Sequence, residues 1–140
     1  MLEASNGTQD IYIARYDANA KLLYASRFGG KETANIYDLA IDANGFALLG
    51  GEFQNDFPVN SSQTFDSQGS YDALLLNVGS LGNGYWGYAM GETGRQTVYG
   101  VDIDANGDIL FAGTFSGTID LGQGPIMGGN GDLFIAKFAP

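Results

Sequence analysis

The chain has 140 residues, 44% of them apolar, with 6 basic against 16 acidic side chains and a net charge of −10. That is one domain's length with enough apolar content for a core, and it is too acidic to wrap nucleic acid or lie on an anionic membrane. With no Cys and no His, disulfides, thiolate catalysis, zinc–sulfur sites and His-based triads are excluded.

No apolar run is long enough for a membrane-spanning helix, and Met1 to Ser5 do not read as a signal peptide. From there the chain reads as short strands and turns. Asp10 to Asp17 alternate as a half-buried strand does. Asp17-Ala18-Asn19-Ala20 is a turn, and Lys21 to Phe28 is a second strand. Gly29 to Asn35 is a loop. Tyr37 to Phe53 is strand, tight turn and strand, with Asn44-Gly45 supplying the turn. Gln54 to Ser70, with Pro58 and Ser61-Ser62, is expected to be a long polar loop.

Tyr71 to Val78 is the next strand, followed by a turn at Leu81 to Gly84 and a strand from Tyr85 to Met90. The loop Glu92 to Thr97 leads into Tyr99 to Phe115, a second strand–turn–strand around Asn106-Gly107. Ser116 to Gly131, rich in Gly, is expected to be another long loop. Asp132 to Phe138 closes the chain as a strand.

The two hairpins are copies. Tyr37 to Phe53 recurs without a gap as Tyr99 to Phe115, and Asp10 and Trp86 have counterparts in Asp72 and Tyr24 at the same spacing. The strand Asp10 to Tyr16 recurs again at Asp132 to Phe138. The approximate repeats are 10–71, 72–131 and the first strand of a third at 132–138, all within a single unit covering 1–140. A repeat of about 60 residues with four strands and no helical signal is expected to be a blade of a β-propeller.

The residues also resemble a known family, the bacterial β-propeller repeat called SBBP. Asp10-Ile11-Tyr12-Ile13-Ala14-Arg15-Tyr16-Asp17 and Asp132 to Phe138 match its opening strand. Phe28-Gly29-Gly30 matches its middle, and Ile41-Asp42-Ala43-Asn44-Gly45 with Ile103-Asp104-Ala105-Asn106-Gly107 match its end. Asp72 to Val78 departs, with Leu76-Asn77 where Ala-Lys is usual. The resemblance covers nearly the whole chain and implies architecture more than activity. It also implies a secreted or cell-surface setting in bacteria.

Labelling the strands of a blade A to D from one edge, the chain reads C D, A B C D, A B C. Nine strands make two blades and one strand over, which cannot close a ring. The missing part is expected from other blades of a longer parent or from further copies of the chain, joined head to tail. One of the two C strands, Asp10–Tyr16 or Asp132–Phe138, would then be surplus.

Three sets of residues stand out as candidate chemistry. Asp102, Asp104, Asn106 and Asp108 follow the opening pattern of a calcium loop, whose alternate oxygens converge on a hard cation. The twelfth position is Gly113 rather than Glu, and the sister copy has Ala40 and Phe46, so a plain hairpin turn is the competing reading. The loops are expected to share one face, with Lys31, Glu32, Asn55, Asp56, Arg95, Gln96 and Asp120 as ligand-binding candidates. Trp86, Tyr85 and Tyr88 suit packing between blades better than sugar stacking.

No catalytic motif is present. The expectation is a non-enzymatic β-propeller scaffold or binding module for protein or glycan, or one that self-assembles into a closed propeller. No cofactor is implied beyond calcium at that turn, and neither nucleic acid nor membrane insertion is expected. The alternative is a glycan-active propeller enzyme using paired carboxylates.

Overall fold

A computed structural model describes residues 8–139; the stretch Met1–Ser5 lies outside them. Among the described residues every regular element is a strand: β1 (Ile11–Tyr16), β2 (Leu22–Phe28), β3 (Ala34–Ile41), β4 (Ala47–Phe53), β5 (Asp56–Asn60), β6 (Gln63–Asp66), β7 (Asp72–Val78), β8 (Gly84–Met90), β9 (Gln96–Ile103), β10 (Ile109–Asp120) and β11 (Pro125–Phe138). The chain is therefore all-β. No helix of the described residues is long and apolar enough to cross a membrane.

The strands form four antiparallel sheets, none of them closed. They run β1-β2, then β3-β4-β7-β8, then β9-β10-β11, with β5-β6 as a separate pair. The first three contain two, four and three strands, the grouping that the repeat predicts. Two expectations need correction. The stretch Gln54–Ser70 is not a loop but holds the hairpin β5-β6. Likewise Ser116–Gly131 lies mostly in strands, because β10 and β11 stay paired to Asp120 and Pro125. The described residues hold eleven strands rather than nine.

The reason is local. Phe57 and Val59 are buried while Pro58 between them is exposed, so the segment alternates as a strand does, and the proline sits in a short two-stranded pair in which both strands are edges, where proline is tolerated. In β11 the bulges opposite Phe115 to Gly117 absorb the glycines and let the ladder continue.

The turns share one chemistry. Asp17, Asp42, Asp104 and Asp120 each accept, on a single Oδ1, the backbone N–H groups two and four residues on. The distances run from 2.7 Å at Gly122 to 3.1 Å at Gly124. A carboxylate that satisfies two turn amides holds the turn in the geometry that the flanking strands need to pair. Gly45 and Gly107 supply the left-handed backbone that closes two of these turns.

Both faces of the four-stranded sheet are covered. Leu49, Phe53, Leu74, Leu76 and Val78 pack against Ile11 and Phe28 of the first sheet and against Phe57 and Val59. Leu48, Ala73 and Leu75 pack against Val98, Phe111, Phe115 and Phe134 of the third. Alternate residues of β4 and β7 thus serve opposite neighbours, which is why both strands are buried along their whole length. The sheets stack in chain order.

Candidate functional site

The seam between β3–β4 and β9 holds the most polar buried cluster. Glu52 sits in a strand otherwise made of Ala, Leu, Gly and Phe and is fully buried. Its carboxylate accepts from Arg95 Nε at 2.8 Å and Arg95 Nη2 at 2.5 Å, a two-pronged pair. Thr97 Oγ1 donates at 2.6 Å, Tyr37 OH at 2.9 Å and Asn35 Nδ2 at 3.3 Å. Asn35 and Tyr37 come from the same sheet as Glu52, whereas Arg95 and Thr97 come from the next. The cluster therefore bolts two sheets together.

Burial alone would raise the Glu52 carboxyl, but hydrogen bonds from Arg95, Thr97 and Tyr37 outweigh it and hold the group below its ordinary range. Arg95 is held more firmly protonated by its bond to Glu52. The Tyr37 phenol is pushed up, first by burial and then by donating to Glu52. Arg95 also lies over the Tyr71 ring at 4.9 Å, and Tyr37 and Tyr99, counterparts in the repeat, tilt against each other at 5.0 Å. Both tyrosines and the Arg95 side chain are partly open to solvent. Tyr99 and Arg95 line a cleft of about 330 Å³ together with Thr97, Thr114, Ser116 and Asn130. Aromatic faces, an Arg and several hydroxyls suit a polar ligand with hydroxyl or amide groups.

A second inter-sheet bolt is Asp38, whose Oδ2 accepts the Val101 N–H at 3.0 Å. Close approach there depends on Gly50, where an added Cβ would meet Val101 and Val98 methyls at 2.6 and 2.7 Å.

The structure splits the remaining sequence candidates into separate places. Lys31 and Asp56 come together, the Lys31 N–H donating to Asp56 Oδ1 at 3.2 Å, with the ammonium 4.0 Å from the same atom. Glu32 follows in that loop, and Asn55, with its N–H donating to Ser67 Oγ at 2.9 Å, precedes Asp56 in a left-handed conformation. Asp120 serves the β10–β11 turn described above. Gln96 is fully buried, and its Nε2 donates to the carbonyls of Thr93, Ser116 and Thr118. Gln96 opens β9 rather than lying in a loop, and its side chain ties the preceding turn to β10 instead of presenting itself to a ligand.

The four residues of the calcium pattern do not converge. Asp104 Oδ1 accepts turn amides, and the Lys137 ammonium lies 3.0 Å from Asp104 and 2.6 Å from Asp108. Asp104 is held below its ordinary range by that lysine, and Lys137 is pushed up by Asp108 and Asp104. Asp102 caps the Ile103 N–H instead, and Asn106 contributes its own N–H to Asp104. Among the described residues no three acidic side chains are arranged to hold a metal. Trp86 and Tyr88 pack against the second core, and Tyr85 meets Phe46 edge-on at 5.3 Å.

Sequence reasoning selected Arg95 but missed Glu52. The available signal was a single carboxylate in an otherwise apolar strand, with a neutral counterpart, Thr114, one repeat on.

These features define an all-β chain of stacked antiparallel sheets built from an internal repeat, with one polar seam. No protein-family model matches it. Among curated proteins, a stretch of 80 residues, 57% of the chain, is 34% identical to the regulatory protein FlaEY of Caulobacter vibrioides and covers 8% of that protein. The chain therefore spans less than a tenth of the length of that relative.

Proposed function

We propose that the chain is a segment of a β-propeller that acts as a non-enzymatic scaffold or binding module for protein or glycan at a bacterial cell surface. The observation that carries this reading is the order of the sheets. Groups of two, four and three strands follow one another along the chain, and each presents to the next the residues that the repeat places there. The SBBP-like motifs support the same architecture and the extracellular setting. The cleft lined by Tyr99 and Arg95 over the seam, with Tyr37 packed against Tyr99, is the binding surface in this reading, and the remaining blades come from a longer parent or from other copies.

Biolayer interferometry on immobilised polysaccharides and cell-surface proteins tests it. Binding that falls at least tenfold in Tyr99→Ala, with an unchanged melting temperature, is the expected result. Release of reducing ends from any polysaccharide, lost on replacing Glu32 or Asp56, would overturn the binding-only role in favour of an enzyme.

A further inference from the structure

The outer face of the third sheet is built like an interior one. Leu133 and Ile135 of β11 are each 81% exposed, yet their repeat counterparts Ala73 and Leu75 are 0% exposed beneath β9. Leu110 and Ala112 lie beside them, corresponding to Leu48 and Gly50. The other half of such a contact is also uncovered. Leu39 and Ile41 of β3 are 54% and 58% exposed, whereas their counterparts Val101 and Ile103 pack into the second core. One chain thus carries both sides of an apolar contact that it cannot make with itself.

The edges match as well. β11 is an edge strand, paired only with β10. Its Leu133-Phe134-Ile135-Ala136-Lys137 repeats Ile11-Tyr12-Ile13-Ala14-Arg15 of β1 type for type. In β1 those residues pair with β2, Ile11 opposite Phe28, Ile13 opposite Ser26 and Arg15 opposite Tyr24. Asp132 precedes β11's segment as Asp10 precedes β1, and Asp10 pairs with Arg27 at 3.4 Å.

Resting on the blade reading above, we propose that copies of this chain join head to tail by strand exchange: β11 of one copy displaces β1 of the next and pairs with its β2. Leu133 takes the place of Ile11 opposite Phe28, and Ile135 that of Ile13 opposite Ser26. The three-stranded sheet becomes four-stranded, and its outer face seats on Leu39 and Ile41 of the receiving copy. The displaced β1 forfeits its pairings and uncovers Ile11 and Ile13, while β11 gains equivalent pairings and covers Leu133 and Ile135, so the added stabilisation is the burial of Leu39 and Ile41 beneath the outer face of the completed sheet. The polar seam is matched to this. Where the internal contact has Glu52 and Arg95, the contact between copies has Thr114 and Thr33, so no charge is buried without a partner. Because the two surfaces differ, the contact is heterologous and propagates until it closes. Each copy carries −10, so assembly strengthens as salt screens the repulsion.

The chain has no native cysteine, which makes a disulfide test clean. In one chain carrying Ile13→Cys and Ser26→Cys, oxidation locks β1 onto β2. Native mass measurement at physiological salt should give multiples of the chain mass when reduced and single-chain mass when oxidised. A mixture of Ile135→Cys copies with Ser26→Cys copies should form a disulfide between copies that neither forms alone. Single-chain mass for wild type at every concentration, with no disulfide in the mixture, would overturn the proposal. Energetic coupling between Glu52 and Arg95 reports the internal stacking separately. A monomer that keeps this coupling overturns strand exchange alone, and a monomer without it removes the blade reading too.

Discussion

Replacing Arg95 with Ala tests the seam most directly. The substitution leaves Glu52 buried with Thr97, Tyr37 and Asn35 as donors but without its counter-charge. Breaking a fully buried pair costs about 3–5 kcal/mol, while exposed pairs contribute about 0–1 kcal/mol. The Glu52 side chain is 0% exposed and that of Arg95 is 49% exposed, so solvent screens one partner and the expected loss is about 2 kcal/mol. For a chain of this size that is a fall of roughly 6 °C in melting temperature at pH 7.

The pH dependence fixes the mechanism. The folded Glu52 carboxyl lies below its unfolded value, so its contribution is complete above the ordinary carboxylate range and is lost as pH falls through the folded value. The gap between wild type and Arg95→Ala should therefore narrow in acid. Calorimetry from neutral pH down to about pH 3, with Glu52→Gln and the double variant completing a cycle, measures both effects. A melting temperature for Arg95→Ala equal to wild type at pH 7, or a gap that does not change with pH, would refute the assignment of Glu52 and Arg95 as the inter-sheet bolt.

Three further outcomes follow from the packing. Gly50→Ala should lose about 1–3 kcal/mol by chemical denaturation, because its new methyl meets Val98 and Val101 at under 3 Å. Leu75→Ala should lose about 2–5 kcal/mol, whereas Ile135→Ala, its exposed counterpart, should change monomer stability by less than about 0.5 kcal/mol; equal losses would contradict the difference in burial. Calcium in place of chelator should leave the melting temperature unchanged, since the Lys137 ammonium already lies on Asp104 and Asp108, and a clear rise would return these residues to metal binding.

The strands were legible where period-2 alternation and a turn dipeptide coincided, as at Ile41-Asp42-Ala43-Asn44-Gly45. They were not legible where turn-forming residues lie inside strands. Pro58 and Ser61-Ser62 hide β5 and β6, although Phe57, Val59 and Phe65 mark their inward side. Gly128 to Gly131 hide half of β11, because bulges let a ladder pass through glycines that would otherwise signal a loop. The seam was half legible. Arg95 drew notice as a residue of a loop expected on the binding face, but the sequence places it 43 residues from Glu52, and only the stacking of sheets brings them together. Gln96 looked like a surface amide for the same reason, since nothing local announces that three carbonyls will converge on it.

Repeats that share one hydrophobic pattern carry a hazard that unlike sequences do not, because each hydrophobic face fits several neighbours and chains of this kind can fold with their units out of order. The carboxylate of Glu52 works against that error. If β3 of another copy took the place of β9 on the central sheet, Thr33 would stand where Arg95 belongs and a buried anion would be left without its cation. One charged side chain in a strand of Ala, Leu, Gly and Phe thus tells otherwise interchangeable units which neighbour comes next.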